Sequence, residues 1–253
     1  MSADDYLLGS LAREQVDTSF TSPVWAAKQT LMPLLSQWGG PYLQQVHPSG
    51  SFAKGTANRS GTDIDLFISL SPNTPDSLKQ IYETLFVAVS RAGYVAQRQN
   101  VSIGLRIKGV DVDMVPGKQQ NILSLDHSLY RRKADSWTKT NVQTHIIHVR
   151  ASGRQRETRV AKLWCNQLGL DFPSFYLELA VIEALRMNLG MGISNRVWSV
   201  FQYLASGFSA ARFVDPANTN NVISDDLTAS EKGVIKAAAA RTLQAKTWRE
   251  VVR

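Results

Sequence analysis

Hydrophobic and polar positions follow two different periods along the chain. Both periods occur in the first half, whereas the second half keeps almost only the helical one. In the first half, apolar residues recur at helical spacing in some segments and alternate with period two in others, as a strand requires. Ser22-Pro23 gives one helix a start signal. The predicted elements are helices at 4–16, 22–39 and 78–92 and strands at 63–70, 94–100, 102–108 and 110–115.

The second half keeps the helical period almost throughout. Residues 215–226 are the one long polar segment, which suggests a linker or a functional loop. We therefore predict an α+β fold with two lobes: residues 1–120 form a lobe with a mixed sheet, and residues 121–253 form a helical lobe. The predicted helices of the second half are 144–150, 155–168, 174–188, 195–205 and 230–243.

Composition restricts the class of protein. The 253 residues are 43% hydrophobic and 19% charged, which is ordinary for a globular protein. Lys and Arg outnumber Asp and Glu by 28 to 21, and the net charge of +7 favours an anionic partner such as a nucleotide or nucleic acid. The single Cys165 excludes an internal disulfide and predicts a buried structural thiol. With no apolar leader and no stretch of ~20 apolar residues, we expect a cytoplasmic protein without a membrane partner.

Paired aspartates are the strongest chemical signal. Asp63 and Asp65 stand two apart in a predicted strand, so both carboxylates project from one face, and Asp111 and Asp113 repeat the arrangement. Neighbouring carboxylates repel unless a cation neutralises them, and Mg²⁺ prefers such oxygen ligands. The alternative is that these are exposed acids on a solvent face, as an isolated pair usually is.

A loop of small residues precedes the first pair. Gly50 lets the backbone approach a phosphate closely, Ser51 adds a hydroxyl and Lys54 adds a charge. The spacing differs from that of a P-loop, so that motif is excluded. A small-residue loop alone is more often a simple turn.

Taken together, GSFAKGTANRSGTDIDLFISL and VDVDMVP resemble the polymerase-β-like nucleotidyltransferase superfamily, which has a Gly-Ser loop, a DxD pair and a third Asp in this order. The later segment TRVAKLWCNQLGLDFPSFYLELAVIEAL is similar to 2′-5′-oligoadenylate synthetases and to the cGAS/DncV-like nucleotidyltransferases (CD-NTases). The segments WTKTN with His145 and DPANTNNV are similar to the bacterial group. The resemblance covers roughly residues 45–245.

The resemblance implies a catalytic lobe, a helical lobe that closes the nucleotide cleft, and transfer of a nucleotidyl group from an NTP to a hydroxyl. Asp63, Asp65 and Asp113 would bind two Mg²⁺ ions, with Mn²⁺ as a substitute, in the two-metal arrangement. Asp113 is preferred to Asp111 because Asp-Met-Val-Pro matches the family. Asp111 is left as a supporting or a surface acid.

The resemblance also assigns a nucleotide-binding set. Gly50 and Ser51 would contact phosphate, Lys162 would bind the donor triphosphate, and Ser174 would contact phosphate. Phe175 would stack on a base. Each has a plainer alternative: Lys162 on a solvated helix face, and Phe175 as a core aromatic.

Three functions remain open at this point. The leading one is synthesis of a cyclic or short linear oligonucleotide second messenger from ATP or other NTPs. The family implies that a downstream effector reads such a messenger in bacterial antiviral defence. The second is addition of nucleotides to an RNA such as a tRNA 3′ end, since basic residues cluster at 131–133 and 150–162. The third is an inert nucleotide or RNA sensor. An RNA or regulatory partner is compatible with each.

Overall fold

A computed structural model describes residues 2–61, 63–187 and 192–253. It divides the chain into two compact units. The sheet unit comprises Asp17–Ala53 and Thr62–Ile146, and the helical unit comprises Met1–Val16, Lys54–Gly61 and Ile147–Arg253. The units therefore differ from the contiguous lobes 1–120 and 121–253 expected from the sequence, because N-terminal segments pack within the helical unit.

A seven-stranded mixed sheet forms the centre of the sheet unit. The strand order is β1-β2-β5-β4-β3, with β6 paired to β5 and β7 paired to β6. The pair β2–β5 is parallel, and the other pairs are antiparallel. The strands are β1 (Leu43–Pro48), β2 (Ile64–Leu70), β3 (Gln97–Arg98), β4 (Ile103–Ile107), β5 (Val110–Gln119), β6 (His127–Arg131) and β7 (Ser136–Thr140).

Two long helices of the sheet unit share one hydrophobic core with the sheet. These are α2 (Pro23–Gly39), which starts with proline at its first position as predicted, and α4 (Leu78–Arg91). A short helix, α3 (Gly50–Lys54), follows β1. Side chains at alternate positions of β2 and β5 enter the core, including Leu66, Ile68 and Met114. The intervening positions lie on the opposite face, where polar chemistry is possible.

The helical unit has its own core around Trp164, Tyr176 and Phe201. The N-terminal helix belongs to it: Tyr6 Oη donates to the carbonyl of Val252 at 2.8 Å. The helices wholly within this unit are α1 (Ala3–Arg13), α6 (Gln155–Leu168), α7 (Ser174–Ala184), α8 (Ile193–Ser206), α9 (Ala229–Thr242) and α10 (Trp248–Val251). Helix α5 (Val142–Ala151) has residues in both units.

Several predicted elements require correction. Residues 127–140 were expected in a helical region but form β6 and β7, because both strands pair along the sheet rather than packing as an amphipathic helix. The polar segment 215–226 is not one loop. It contains the hairpin β8 (Val214–Asp215) and β9 (Asn218–Val222), followed by a short 3₁₀ turn. The predicted helix 174–188 ends at Ala184, and its last predicted residue, Asn188, lies outside the described residues.

Within the described ranges, the helices are all too short or too polar to cross a lipid bilayer.

Candidate active site

The predicted aspartates lie in or directly before two adjacent parallel strands. Asp65 in β2 lies opposite Asp113 in β5 in the strand register, and Asp63 precedes β2 by one residue. Ile64 and Leu66 are buried on the other face, which fixes the direction of the acidic side chains. Parallel pairing thus brings together carboxylates that are far apart in the sequence.

Burial and mutual repulsion act on these acids. The pKa of Asp63 is raised by burial and then by the charge of Asp111. The pKa of Asp113 is raised by burial and by the charge of Asp63, although a hydrogen bond from Gln99 opposes the rise. The protein thus holds acidic groups where their ionised forms are disfavoured. Perturbed groups of this kind are common at functional sites.

Position 50 must be glycine because any larger residue would collide with Asp65. The φ of Gly50 is +54°, and a Cβ built on it would stand 1.6 Å from Asp65 Oδ2. The same turn is tied to β2 because Ser49 N donates to the carbonyl of Asp65 at 2.8 Å. Ser51 follows within α3 and is half-buried. The predicted Gly-Ser loop therefore passes directly against one of the predicted metal ligands.

A polar chain holds the third aspartate. Gln99 Nε2 donates to Asp113 Oδ1 at 2.8 Å, and Ser102 Oγ donates to Gln99 Oε1 at 2.6 Å. Gly104 leaves room for this chain, since a Cβ there would lie 2.8 Å from Gln99 Nε2 and 3.1 Å from Asp113 Oδ1. Sequence reasoning missed Gln99, because no local pattern links it to a residue on another strand.

Asp111 has different surroundings from Asp113. Its side chain is 64% exposed, and Oδ1 lies 3.7 Å from Nε of Arg106, which is itself 69% exposed. Of the two roles left open by the sequence, this arrangement favours a surface acid that contributes only long-range repulsion to its neighbours.

A buried ion cluster occupies the helical unit. Glu178 is fully buried and accepts hydrogen bonds from Lys54 Nζ at 2.5 Å, Thr56 Oγ1 at 2.5 Å and Lys162 Nζ at 3.1 Å. Burial opposes ionisation of Glu178, but the two ammonium groups outweigh it and lower its pKa. Lys162 is therefore not on a solvated helix face, which was the plainer alternative. Glu178 was overlooked in the sequence, although an acidic residue at an otherwise apolar position of its helix could have indicated it.

The remaining predicted nucleotide contacts lie at the start of α7. Ser174 is the first helical residue and is exposed. Phe175 is half-buried against the core of the helical unit, and Lys54 Nζ lies 4.9 Å from its ring centroid. Lys54 thus contacts both Glu178 and Phe175 within the helical unit.

Much of the basic segment 150–162 serves internal structure. Arg159 donates to the carbonyls of Leu11 and Glu14 at 2.9 and 2.8 Å, and Arg154 donates to that of Leu185 at 3.1 Å. These contacts weaken the interpretation of the segment as a surface for RNA. The prediction for Cys165 is confirmed: the thiol is buried, and burial raises its pKa to about 12.

The acidic residues fit a divalent metal by chemistry and by register. Their oxygens are the ligands that Mg²⁺ prefers. The pKa values of Asp63 and Asp113 are raised because their negative charges are disfavoured in the fold, and a bound cation would neutralise these charges. Within the described ranges, no group of three or more Asp, Glu, His or Cys side chains is arranged so that it could hold a metal ion. The fit therefore rests on the donor types and on the opposed positions of Asp65 and Asp113.

Comparisons with known proteins agree with this fold. Residues 34–124 match the family model described as a nucleotidyltransferase domain. A cyclic AMP-AMP-AMP synthase of Escherichia coli (strain MS 115-1) is 28% identical over 207 residues, which are 72% of this chain and 64% of the relative. The match thus spans less than two thirds of that relative's length.

Solved structures extend the likeness to nearly the whole chain. The structure of E. coli MS115-1 CdnC with ATP has a TM-score of 0.73 at 22% identity, covering 97% of this chain and 96% of that one. The Bradyrhizobium diazoefficiens CD-NTase CdnG in complex with GTP has a TM-score of 0.79 at 13% identity, covering 96% and 90%. The predicted resemblance is thus supported at two levels: residues 34–124 match a nucleotidyltransferase domain, and the fold of the chain is shared with the CD-NTases CdnC and CdnG.

Proposed function

We propose that this protein is a metal-dependent nucleotidyltransferase that joins NTPs into a cyclic or short linear oligonucleotide and releases pyrophosphate. The observation that carries the proposal is the opposed pair Asp65 and Asp113, with Asp63 beside it and Gly50 against it. The similarity to a cyclic AMP-AMP-AMP synthase supports this product class over other nucleotidyl transfers.

The proposed roles follow from the chemistry of each group. Two Mg²⁺ ions, or Mn²⁺, bound by Asp63, Asp65 and Asp113 would activate the attacking hydroxyl and neutralise the leaving pyrophosphate. Gln99 fixes the orientation of Asp113 through its hydrogen bond. Gly50 leaves space for a phosphate and for the carboxylate of Asp65.

The helical unit supplies the second group of proposed contacts. Lys162 and Ser174 are assigned to contacts with the donor triphosphate. Phe175 stacks on a base, a contact that accepts any base because each has a π face. Lys54 and Lys162 share the buried carboxylate of Glu178. The cluster therefore has a net positive charge, which suits a polyphosphate.

The proposed setting is bacterial antiviral defence in the cytoplasm, with a downstream effector that reads the product. This part of the proposal rests on the family resemblance. A regulatory partner or an RNA would act on the enzyme rather than serve as its substrate.

Incubation of the pure protein with NTPs and Mg²⁺, without RNA, tests the function. We expect discrete oligonucleotides by mass spectrometry and release of pyrophosphate. Replacing Asp63 and Asp65 together by Ala should reduce turnover by at least about a thousandfold. Asp111→Ala is the matched control, because it removes an exposed acid near the same sheet face and should keep most activity.

Three outcomes would contradict the proposal in different ways. If nucleotides were incorporated only into added RNA, and NTPs alone gave no product, the protein would be an RNA-terminal transferase. Full turnover in the Asp63→Ala, Asp65→Ala variant would refute the metal site. Nucleotide binding without any turnover in the presence of Mg²⁺ or Mn²⁺ would instead indicate an inert sensor.

A further inference from the structure

The sheet unit contains a cavity of about 620 Å³ that is lined by none of the three catalytic aspartates. Its floor is a sheet face formed by His47 of β1, Phe67 and Ser69 of β2 and His127 of β6, and the first residues of α5 lie beside it. Pockets of roughly 300–1,000 Å³ accommodate small organic ligands. The cavity is thus large enough for a molecule the size of a nucleoside.

The lining chemistry excludes an anionic ligand. Among the described residues, the cavity is bordered by amides, imidazoles, one hydroxyl and apolar side chains, with no Lys, Arg, Asp or Glu. A triphosphate placed there would lose its hydration without gaining a cation. The cavity therefore suits an uncharged ligand.

Internal hydrogen bonds fix the protonation state of the cavity floor. His127 Nδ1 lies 2.8 Å from the carbonyl of Leu125, which can only accept, so this nitrogen carries the proton. His127 Nε2 is then an acceptor for the hydroxyl of Ser69 at 2.8 Å. Burial lowers the pKa of both His47 and His127, so both rings are neutral at physiological pH.

Two residues that line the cavity also have a polar atom without a hydrogen-bond partner in the described part of the chain. These atoms are Nδ1 of His47 and Oε1 of Gln119, and both are buried. Gln119 uses its amide nitrogen to donate to the carbonyl of Ser124 at 2.6 Å, which leaves its oxygen as an acceptor. Leaving a buried polar atom without a hydrogen bond is unfavourable, and a ligand N–H that donated to it would remove that cost.

We propose that this cavity is a second ligand site, which binds an uncharged nitrogen heterocycle with N–H donors, of the size of a purine nucleoside. The terminal torsions of Gln and His side chains are broad, so a small rotation presents either unsatisfied atom to such a donor. None of Asp63, Asp65 and Asp113 lines this site. It does not depend on the proposed reaction.

Direct titration with adenosine tests this site. The experiment uses the full chain with Asp63 and Asp65 replaced by Ala, so that ATP can be added without turnover. We expect saturable binding of adenosine by calorimetry or ligand-observed NMR, and we expect it to persist in excess ATP. Displacement of adenosine by ATP would overturn the proposal, because it would place the nucleoside in the NTP site.

The ligand and one side chain can be altered together. N6,N6-dimethyladenosine lacks the exocyclic N–H donors, and it should bind about tenfold more weakly than adenosine. In Gln119→Leu this difference should shrink, as a double-mutant cycle requires if the amine meets the amide oxygen. Equal affinity of the two nucleosides for the unaltered cavity would contradict the proposal.

A variant outside the buried floor covers the case in which Gln119→Leu does not fold. Val142 lies at the edge of the cavity on α5 and is half-buried, so Val142→Trp should fill the space and abolish adenosine binding. Unchanged adenosine binding in a folded Val142→Trp variant, or no saturable binding at millimolar adenosine in the parent, would also overturn the assignment.

Discussion

Glu178 accepts a hydrogen bond from Lys162 at 3.1 Å, so the lysine assigned to the donor triphosphate is held by a buried carboxylate of the same unit. Lys54 shares that carboxylate at 2.5 Å. The side chains of the two lysines are only 9% and 11% exposed, so their positions are set by the protein rather than by solvent. The cluster joins the segment after the Gly-Ser turn to α6 and α7.

Removing Glu178 should destabilise the protein strongly. Glu178→Ala leaves two buried ammonium groups without their anion, which costs about 3–5 kcal/mol. Denaturant unfolding measures the loss. Glu183→Ala, on the same helix but at an exposed ion pair with Arg186, should cost less than about 1 kcal/mol. Similar losses in the two variants would contradict the role of the cluster.

The same carboxylate predicts an acid-sensitive stability. The pKa of Glu178 in the fold is below its ordinary value of 4.5, so its contribution is complete above that value and is lost as pH falls through the folded pKa. Unfolding free energies measured from neutral pH downward should therefore decline below pH 4.5. Glu178→Gln should remove part of this slope, and an unchanged slope in Glu178→Gln would show that another group dominates.

Gly50→Ala should abolish activity while most of the fold survives. The new Cβ would stand 1.6 Å from Asp65 Oδ2, so either the turn or the carboxylate must move. A loss of about a hundredfold or more in turnover is expected, because misplacing a catalytic group by 1 Å has this effect. Gly169→Ala is the matched control: its φ is also positive, at +61°, but nothing lies within 4 Å of the new Cβ. Equal activity losses would mean that backbone strain, rather than the clash, is responsible.

Gln99→Ala should lower turnover without removing a predicted metal ligand. It frees Asp113 Oδ1 from its hydrogen bond, and losing such a supporting contact typically costs about 10–100-fold in activity or metal affinity. The measurement is turnover against Mg²⁺ concentration, where we expect a higher Mg²⁺ requirement. Gln97→Ala, which alters an exposed residue of the neighbouring strand β3, should have no effect. An unaltered Mg²⁺ dependence in Gln99→Ala would exclude this positioning role.

Asp113→Asn should stabilise the metal-free protein at neutral pH. Burial and the charge of Asp63 raise the pKa of Asp113, so its ionised form costs stability above that pKa, and the cost disappears as pH falls. The melting temperature of Asp113→Asn should exceed that of the parent at pH 7 and converge with it in acid. Added Mg²⁺ should raise the parent's melting temperature by about 2–4 °C for each kcal/mol of binding and raise the variant's less. A variant that responds to Mg²⁺ like the parent would place the ion elsewhere.

Local periodicity predicted most individual elements well. The helix at 155–168 has the bounds of α6, and the strand at 63–70 differs from β2 by one residue. Both follow from side-chain spacing along one segment, which the sequence contains in full. The face shared by Asp63 and Asp65 followed from the same period.

The sequence by itself determined the acidic motif, the Gly-Ser turn and the resemblance to nucleotidyltransferases, because each depends on residues close together in the chain. Only the tertiary structure decided that Asp65 lies opposite Asp113, that Gln99 holds Asp113, and that Glu178 holds Lys162. The physical reason is that strand register and burial are set by packing between segments far apart in sequence. A period along one segment cannot specify which partner a strand pairs with, or which charge meets a buried carboxylate.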